Sequence, residues 1–173
     1  MQKRSNAVTF KGSPATLVGP QLKTGDKAPD FQCLNGLDLV TLAQTTGKPR
    51  LFSVVPSLDT GVCSAQTKKF EETLASFKDK LGCYTFSLDL PFAQKRFCSA
   101  EGIANMATLS DVHNHSFGQN YGVLIEGLPL PLLSRAVFVV DKNDKITYVE
   151  YVPEVTSHPN YDAALAAVKA VTA

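Results

Sequence analysis

The sequence predicts an α/β protein, a central mixed β-sheet flanked by helices with a β-hairpin at its N-terminus. Three observations carry this. Two apolar runs, Leu51-Phe52-Ser53-Val54-Val55 and Cys83-Tyr84-Thr85-Phe86-Ser87-Leu88, have the length and composition of buried strands, and a helical pattern with Phe70, Leu74 and Phe77 inward lies between them. Further on, Ala136–Val140 and Ile146–Tyr151 flank the polar turn Asp141-Lys142-Asn143-Asp144, which predicts a hairpin. Residues 161–171 are rich in alanine and place Leu165 and Val168 on one face, which predicts a closing helix.

Taken in order, Val8-Thr9-Phe10 and Ala15-Thr16-Leu17-Val18 form a hairpin within residues 1–18. A loop through Pro29-Asp30-Phe31 and a short polar segment lead to the strand at 51–55, which Pro56 ends because proline has no N–H for a ladder. Cys63 stands at the start of the next helix, whose body runs over 68–80, and the strand at 83–88 completes a βαβ unit. A helix carrying residues 92–100, the hairpin and the closing helix follow. A βαβ unit succeeded by a helix and a hairpin is the thioredoxin-like layout. At 173 residues the chain can bury one substantial core, and no linker, repeat or low-complexity stretch divides it, so one domain over 1–173 is expected.

Seventeen basic and 16 acidic residues are dispersed and leave a net charge of +1, which gives no basic stripe for nucleic acid and no polybasic membrane patch. Lys3 and Arg4 begin the chain with positive charge, but no apolar run of signal-peptide or bilayer-spanning length follows. The expectation is a cytoplasmic protein. Four cysteines in this length do not make a disulfide scaffold, and in that compartment a disulfide would be transient or catalytic.

The chemistry concentrates in Pro56-Ser57-Leu58-Asp59-Thr60-Gly61-Val62-Cys63. A cysteine in a first helical turn faces unpaired backbone N–H groups and the positive end of the helix dipole, both of which favour the thiolate. The gain in thiolate alone is modest, because intrinsic nucleophilicity falls as the thiol becomes more acidic. A fast enzyme built on Cys63 also needs donors aimed at the atom under attack, and Thr60 and the N–H groups of the turn are the candidates. Position alone leaves open a packed and inert thiol.

The spacing of Pro56, Thr60 and Cys63 resembles the peroxidatic signature of the peroxiredoxins, and the fuller string around it resembles the bacterial thiol peroxidases among them. A second string, Asp89-Leu90-Pro91-Phe92-Ala93-Gln94-Lys95-Arg96-Phe97-Cys98, is similar to the segment that carries the resolving cysteine of that group. The likeness extends from the N-terminal hairpin through Gly25-Asp26-Lys27-Ala28-Pro29-Asp30-Phe31 to the end of the chain. It implies a thiol-dependent peroxidase that reduces organic hydroperoxides and hydrogen peroxide through a Cys63 sulfenic acid. Cys98 is then implied to close an intramolecular disulfide that thioredoxin reduces, Pro56 to shield the reacting sulfur, and Arg135 to be the active-site arginine. Spacing does not select Arg135, which by itself reads as a solvated residue at a strand end. The resemblance further implies a homodimer and no metal, flavin or haem. Two cysteines on separate helices usually lie beyond the roughly 7 Å limit on Cα separation in a disulfide, so both helix ends must unwind. The closed loop would restrain the unfolded chain by about 4 kcal/mol.

Cys33 and Cys83 match no catalytic position and read as packed thiols, although a second resolving route through either is the alternative. Zinc is a poor reading, since no cysteines pair at two to four residues and His113 and His115 lie in a polar stretch. Two rival functions remain. A cysteine hydrolase or transferase would pair Cys63 with His113 or His158 as base, which leaves the Cys98 string unexplained. A non-catalytic thioredoxin-like binding module would keep the fold with idle thiols.

Overall fold

The computed structural model describes residues 1–173. The chain opens with β1 (Lys3–Phe10) and β2 (Ser13–Val18), joined by Lys11 and Gly12, whose positive φ angles of 51° and 81° give the two-residue turn that matches strand twist. A second small hairpin, β3 (Gln32–Asn35) and β4 (Asp38–Thr41), precedes β5 (Arg50–Val54). Then come α1 (Gly61–Leu74), β6 (Gly82–Ser87), α2 (Pro91–Glu101), β7 (Met106–Ser110) and the short α3 (Ser116–Asn120). Two brief strands, β8 (Leu124–Glu126) and β9 (Leu132–Leu133), lead into the hairpin β10 (Ala136–Val140) and β11 (Ile146–Tyr151), and α4 (Tyr161–Thr172) closes the chain.

Seven strands form the main sheet in the order β11-β10-β5-β6-β7-β3-β4. Strands β5, β6 and β7 are parallel, with Leu51 opposite Cys83 and Cys83 opposite Met106, while β10 runs antiparallel to β5 with Phe138 opposite Phe52. Every residue of β5 and β10 is buried, which is why β10 reads as an unbroken apolar run and β5, apart from Arg50 and Ser53, is apolar on both faces rather than alternating. Alternation persists in which layer each residue enters. Phe52, Val54, Phe138 and Val140 join a core with Phe31, Phe86, Phe117 and Tyr121 on one face, whereas Leu51, Val137 and Val139 meet Phe70 and Leu74 of α1 and Ala164 and Val168 of α4 on the other. Phe86, Phe117 and Tyr121 stack at centroid separations of 3.8 and 4.2 Å. The mixed sheet covered by helices and the N-terminal hairpin are as the sequence predicts.

The differences are local. Helix α1 begins at Gly61 and its α-helical turns stop at Leu74, after which Ala75–Phe77 form a tighter 3₁₀ turn, so the body expected over 68–80 is shifted toward Cys63. Phe77 is only partly buried against the α1–α4 core. The stretch read as a polar segment contains β3 and β4, and β7, β8, β9 and α3 were not resolved as elements from the sequence. The N-terminal hairpin is also more than an appendage. It pairs through β2 with β8, which pairs with β9, making a second sheet of four strands in the order β1-β2-β8-β9. Backbone bonds from Thr9 N–H to the Pro153 carbonyl (2.7 Å) and from Val155 N–H to the Thr9 carbonyl (2.8 Å) fasten it to the segment after β11.

Candidate active site

Thr60 is the N-cap of α1, with extended backbone, and Gly61, Val62 and Cys63 make its first turn. The first intrahelical bond runs from Ser64 N–H to the Thr60 carbonyl at 3.0 Å, so the N–H groups ahead of it point out of the helix end unclaimed by the ladder. Thr60 does not cap with its side chain. Its hydroxyl donates instead to the Ser57 carbonyl (2.8 Å), which leaves the oxygen lone pairs free to accept.

Cys63 is fully buried and packs with Val55, Leu58 and the half-buried Phe97. Its sulfur accepts a hydrogen bond from Arg135 Nη2 at 3.3 Å. Arg135, itself 2% exposed, uses the rest of its fork on the protein: Nη1 donates to Gln66 Oε1 (2.9 Å) and Nε to the Val155 carbonyl (2.8 Å). Gln66 in turn donates from Nε2 to Ser53 Oγ at 2.8 Å, anchoring the arrangement in β5. Three acceptors in three directions fix a planar guanidinium in a way no single ammonium could. The solvated strand-end reading of Arg135 therefore does not hold, because Arg135 stands just before β10 and turns inward against Cys63 and Gln66 of α1.

A cavity of about 520 Å³ opens beside this constellation, with Pro56, Thr60 and Val62 from the Cys63 loop, Arg135, and Phe10, Leu132 and Val155 on its walls. Phe10 comes from the N-terminal hairpin and Leu132 from β9, so the second sheet supplies an apolar wall of the site. Pro56 follows β5, is buried, and lines this cavity.

Cys98 lies on α2 but faces elsewhere. Its sulfur is 4.0 Å from Thr108 Oγ1 on β7, and it lines a separate cavity of about 410 Å³ with Leu37, Pro91, Ile103 and Met106. Successive residues of a helix are about 100° apart, so when Phe97 turns toward Cys63 its neighbour turns away. Burial pushes the Cys98 thiol up, opposed by its hydrogen bond with Thr108. A third cavity, also about 410 Å³, separates the start of α1 from α2 between Thr60, Ser64, Arg96 and Phe97. All four thiols are free.

The other cysteines sit apart. Cys33 is buried with Asp111 Oδ1 3.5 Å from its sulfur, and burial pushes its thiol up strongly. Burial, reinforced by the charge of Glu71, pushes Cys83 up to about 12. No histidine hydrogen bonds to Cys63. His113 is exposed, and His158 Nδ1 instead meets the Tyr161 hydroxyl at 2.8 Å, so the base a cysteine hydrolase needs is not beside the thiol. Sequence reasoning missed Gln66, Ser53 and Phe97. The signal for Gln66 was present, since a residue three positions after Cys63 lies on the same helix face.

A mixed sheet of this order with a buried cysteine at a helix start, held against an arginine, defines a redox protein of the thioredoxin-like class. The model of the Redoxin family matches residues 23–165. The chain is 56% identical over 165 residues to a thiol peroxidase of Halalkalibacterium halodurans, covering 95% of this chain and 98% of that one. It is 52% identical to a thiol peroxidase of Bacillus subtilis, covering 95% and 97%. Among solved structures, a peroxiredoxin-like protein from Aquifex aeolicus superposes with a TM-score of 0.89 at 43% identity, covering 96% of this chain and 97% of that one. The chain belongs to the Redoxin family, in its thiol peroxidase branch.

Proposed function

We propose that this thiol-dependent peroxidase works through Cys63 as the attacking thiolate, with Thr60, the Cys63 N–H and Arg135 holding the two peroxide oxygens. The observation that carries the reading is the 3.3 Å contact from Arg135 Nη2 to the Cys63 sulfur inside a buried, three-way-fixed guanidinium. The thiolate attacks the terminal oxygen of ROOH, the S–O bond forms as the O–O bond breaks, and the alkoxide leaves as ROH with a proton from solvent. Thr60 accepts from the hydroperoxide O–H while Arg135 and the Cys63 N–H stabilise charge on the departing oxygen. Pro56 keeps water from the reacting sulfur.

Cys98 then attacks the Cys63 sulfenic acid, giving a disulfide and water and guarding Cys63 from irreversible oxidation. Because Phe97 occupies the side of α2 that faces Cys63, this step requires α2 and the start of α1 to open. Thioredoxin is the proposed reductant. The apolar walls given by Phe10, Leu132 and Val155 favour organic hydroperoxides over hydrogen peroxide. Residues 1–173 act as one unit in this reading, hairpin included, in a cytoplasmic homodimer. No helix is long and apolar enough to cross a membrane.

The test is consumption of cumene hydroperoxide with thioredoxin, thioredoxin reductase and NADPH on wild type, Cys63→Ser and Cys98→Ser. Turnover in wild type, none in Cys63→Ser and at most one cycle in Cys98→Ser is expected. Sustained turnover in Cys98→Ser would move the resolving role to Cys33, Cys83 or an external thiol.

A further inference from the structure

One side chain ties the Cys63 loop to the Cys98 helix. We propose that Asp89 is a positioning residue that holds the loop in its peroxide-reactive form and sets how readily the oxidised sulfur is passed to Cys98; this rests on the roles given to Cys63 and Cys98 above. Asp89 Oδ1 accepts from Ser57 Oγ (2.7 Å), and Oδ2 accepts from Leu58 N–H (2.8 Å) and from Ser87 Oγ (2.7 Å). Its backbone carbonyl accepts from Ser110 Oγ on β7 at 2.6 Å. Ser57 and Leu58 immediately precede Asp59 and Thr60, and Leu58, 3% exposed, packs directly with Cys63. Two residues beyond Asp89, Pro91 begins α2. The carboxylate thus grips one of the two parts that must separate, and the backbone leads into the other.

A second observation bears on the opening. Gln94 of α2 is buried and donates from Nε2 to Ser87 Oγ at 3.0 Å. Ser87 has a single hydroxyl proton and gives it to Asp89, so it can only accept from Gln94, and Gln94 Oε1 is left buried without a donor. An unpaired buried acceptor makes the packed position of α2 costly. The Asp89 carboxylate therefore holds the loop, while α2 is tied to the same Ser87 through Gln94 Nε2 and the unpaired Gln94 Oε1 lowers the cost of its release.

The consequence is a partition. While the Cys63 sulfenic acid stays in the packed site, a second hydroperoxide can oxidise it further. When the loop and α2 part, the Cys98 sulfur attacks the Cys63 sulfur, the S–S bond forms, the S–O bond breaks, and the hydroxyl leaves as water with the thiol proton. Asp89 favours the first situation.

The experiment is stopped-flow oxidation of reduced protein by cumene hydroperoxide, following Cys63 oxidation and disulfide formation as separate phases, with Cys63 sulfinic acid measured by mass spectrometry in excess peroxide. Asp89→Ala is expected to slow the first phase at least about tenfold, the factor for one charge-assisted hydrogen bond. The second phase is expected to hold its rate or quicken, and sulfinic acid per turnover to fall. Asp89→Asn keeps an acceptor for Leu58 N–H and should recover part of the first phase. Ser57→Ala removes one bond to the carboxylate, leaves Asp89 in place, and should shift both readouts the same way by a smaller factor, which decides the matter if Asp89→Ala does not fold. A first phase within twofold of wild type in Asp89→Ala and Ser57→Ala, or both phases slowed alike as general loosening would cause, overturns the proposal. Absence of any peroxide-dependent phase in wild type instead overturns the Cys63 reading, and is distinguished by not depending on residue 89.

Discussion

Replacing Arg135 by lysine separates the charge of this residue from its shape. At 3.3 Å from the sulfur, a unit positive charge attracts a thiolate by about 5 kcal/mol at an effective dielectric constant of about 20, before the cost of burying both charges. A lysine ammonium would retain part of that attraction. It could not also reach Gln66 Oε1 and the Val155 carbonyl, now at 2.9 and 2.8 Å from separate guanidinium nitrogens, and those acceptors would be left unpaired in a buried setting. Losing two hydrogen bonds from a charged donor costs about 3 to 6 kcal/mol. At about 2 to 4 °C per kcal/mol for a chain of this size, Tm falls by about 6 to 24 °C. In the reaction, loss of one aligned donor to the departing oxygen costs about 100-fold or more. The assay is single-turnover oxidation of Cys63 by cumene hydroperoxide in wild type, Arg135→Lys and Arg135→Met, with thermal melts alongside. If charge alone mattered, Arg135→Lys would lie near wild type and far above Arg135→Met. A rate for Arg135→Lys within threefold of wild type, with an unchanged Tm, would refute the reasoning.

Three further outcomes are expected. Alkylation of the reduced native protein at pH 7.5 should modify Cys98, half-buried, well before Cys83, whose thiol is pushed up to about 12 by burial; equal labelling rates for the two would contradict this. Glu154 accepts from Thr156, from Gly12 N–H and from Thr9, which lowers its carboxyl to about 2 and anchors the N-terminal hairpin. An unfolded glutamate titrates near about 4.3, so the anchor is complete above that pH and is lost as pH falls toward about 2; amide exchange over residues 3–18, corrected for intrinsic rates, should rise across that window in wild type and change less in Glu154→Gln. Oxidation to the Cys63–Cys98 disulfide should raise amide exchange around both cysteines, because Cys98 now faces Thr108 while Phe97 faces Cys63. Equal protection in reduced and oxidised protein would count against helix opening.

The parts of this protein that sequence decided are those whose physics is local. β5 and β10 announce themselves because both faces are buried, so apolar residues fill adjacent positions instead of alternating with polar ones, and Pro56 follows β5 because proline cannot extend the ladder. The hairpin β10–β11 follows from its turn residues, and Cys63 falls in a first helical turn because Thr60 is the N-cap of a helix that starts at Gly61. Strands β3, β8 and β9 are two to four residues long and α3 has five, so no periodicity can accumulate over them. Their conformation is set by partners far along the chain, as when β8 pairs with β2.

The site divides the same way. Pro56, Thr60 and Cys63 lie within eight residues, and a short motif carried them. Arg135 was named by resemblance, and its partners Gln66 and Val155 were out of reach because a bond between residues 69 or 20 positions apart leaves no mark on composition or spacing. Asp89 stood at the head of a recognised string with no role attached, since its carboxylate acts across 31 and 32 residues on Leu58 and Ser57. Sequence by itself determined which cysteine begins a helix and what fold surrounds it, because strand burial, turn chemistry and helix starts are encoded within a few residues. Only the tertiary structure decided that Arg135 is buried against that sulfur, that Cys98 points away from it, and that the N-terminal hairpin walls the cavity, because each depends on how β10, α2 and β1 are packed around α1.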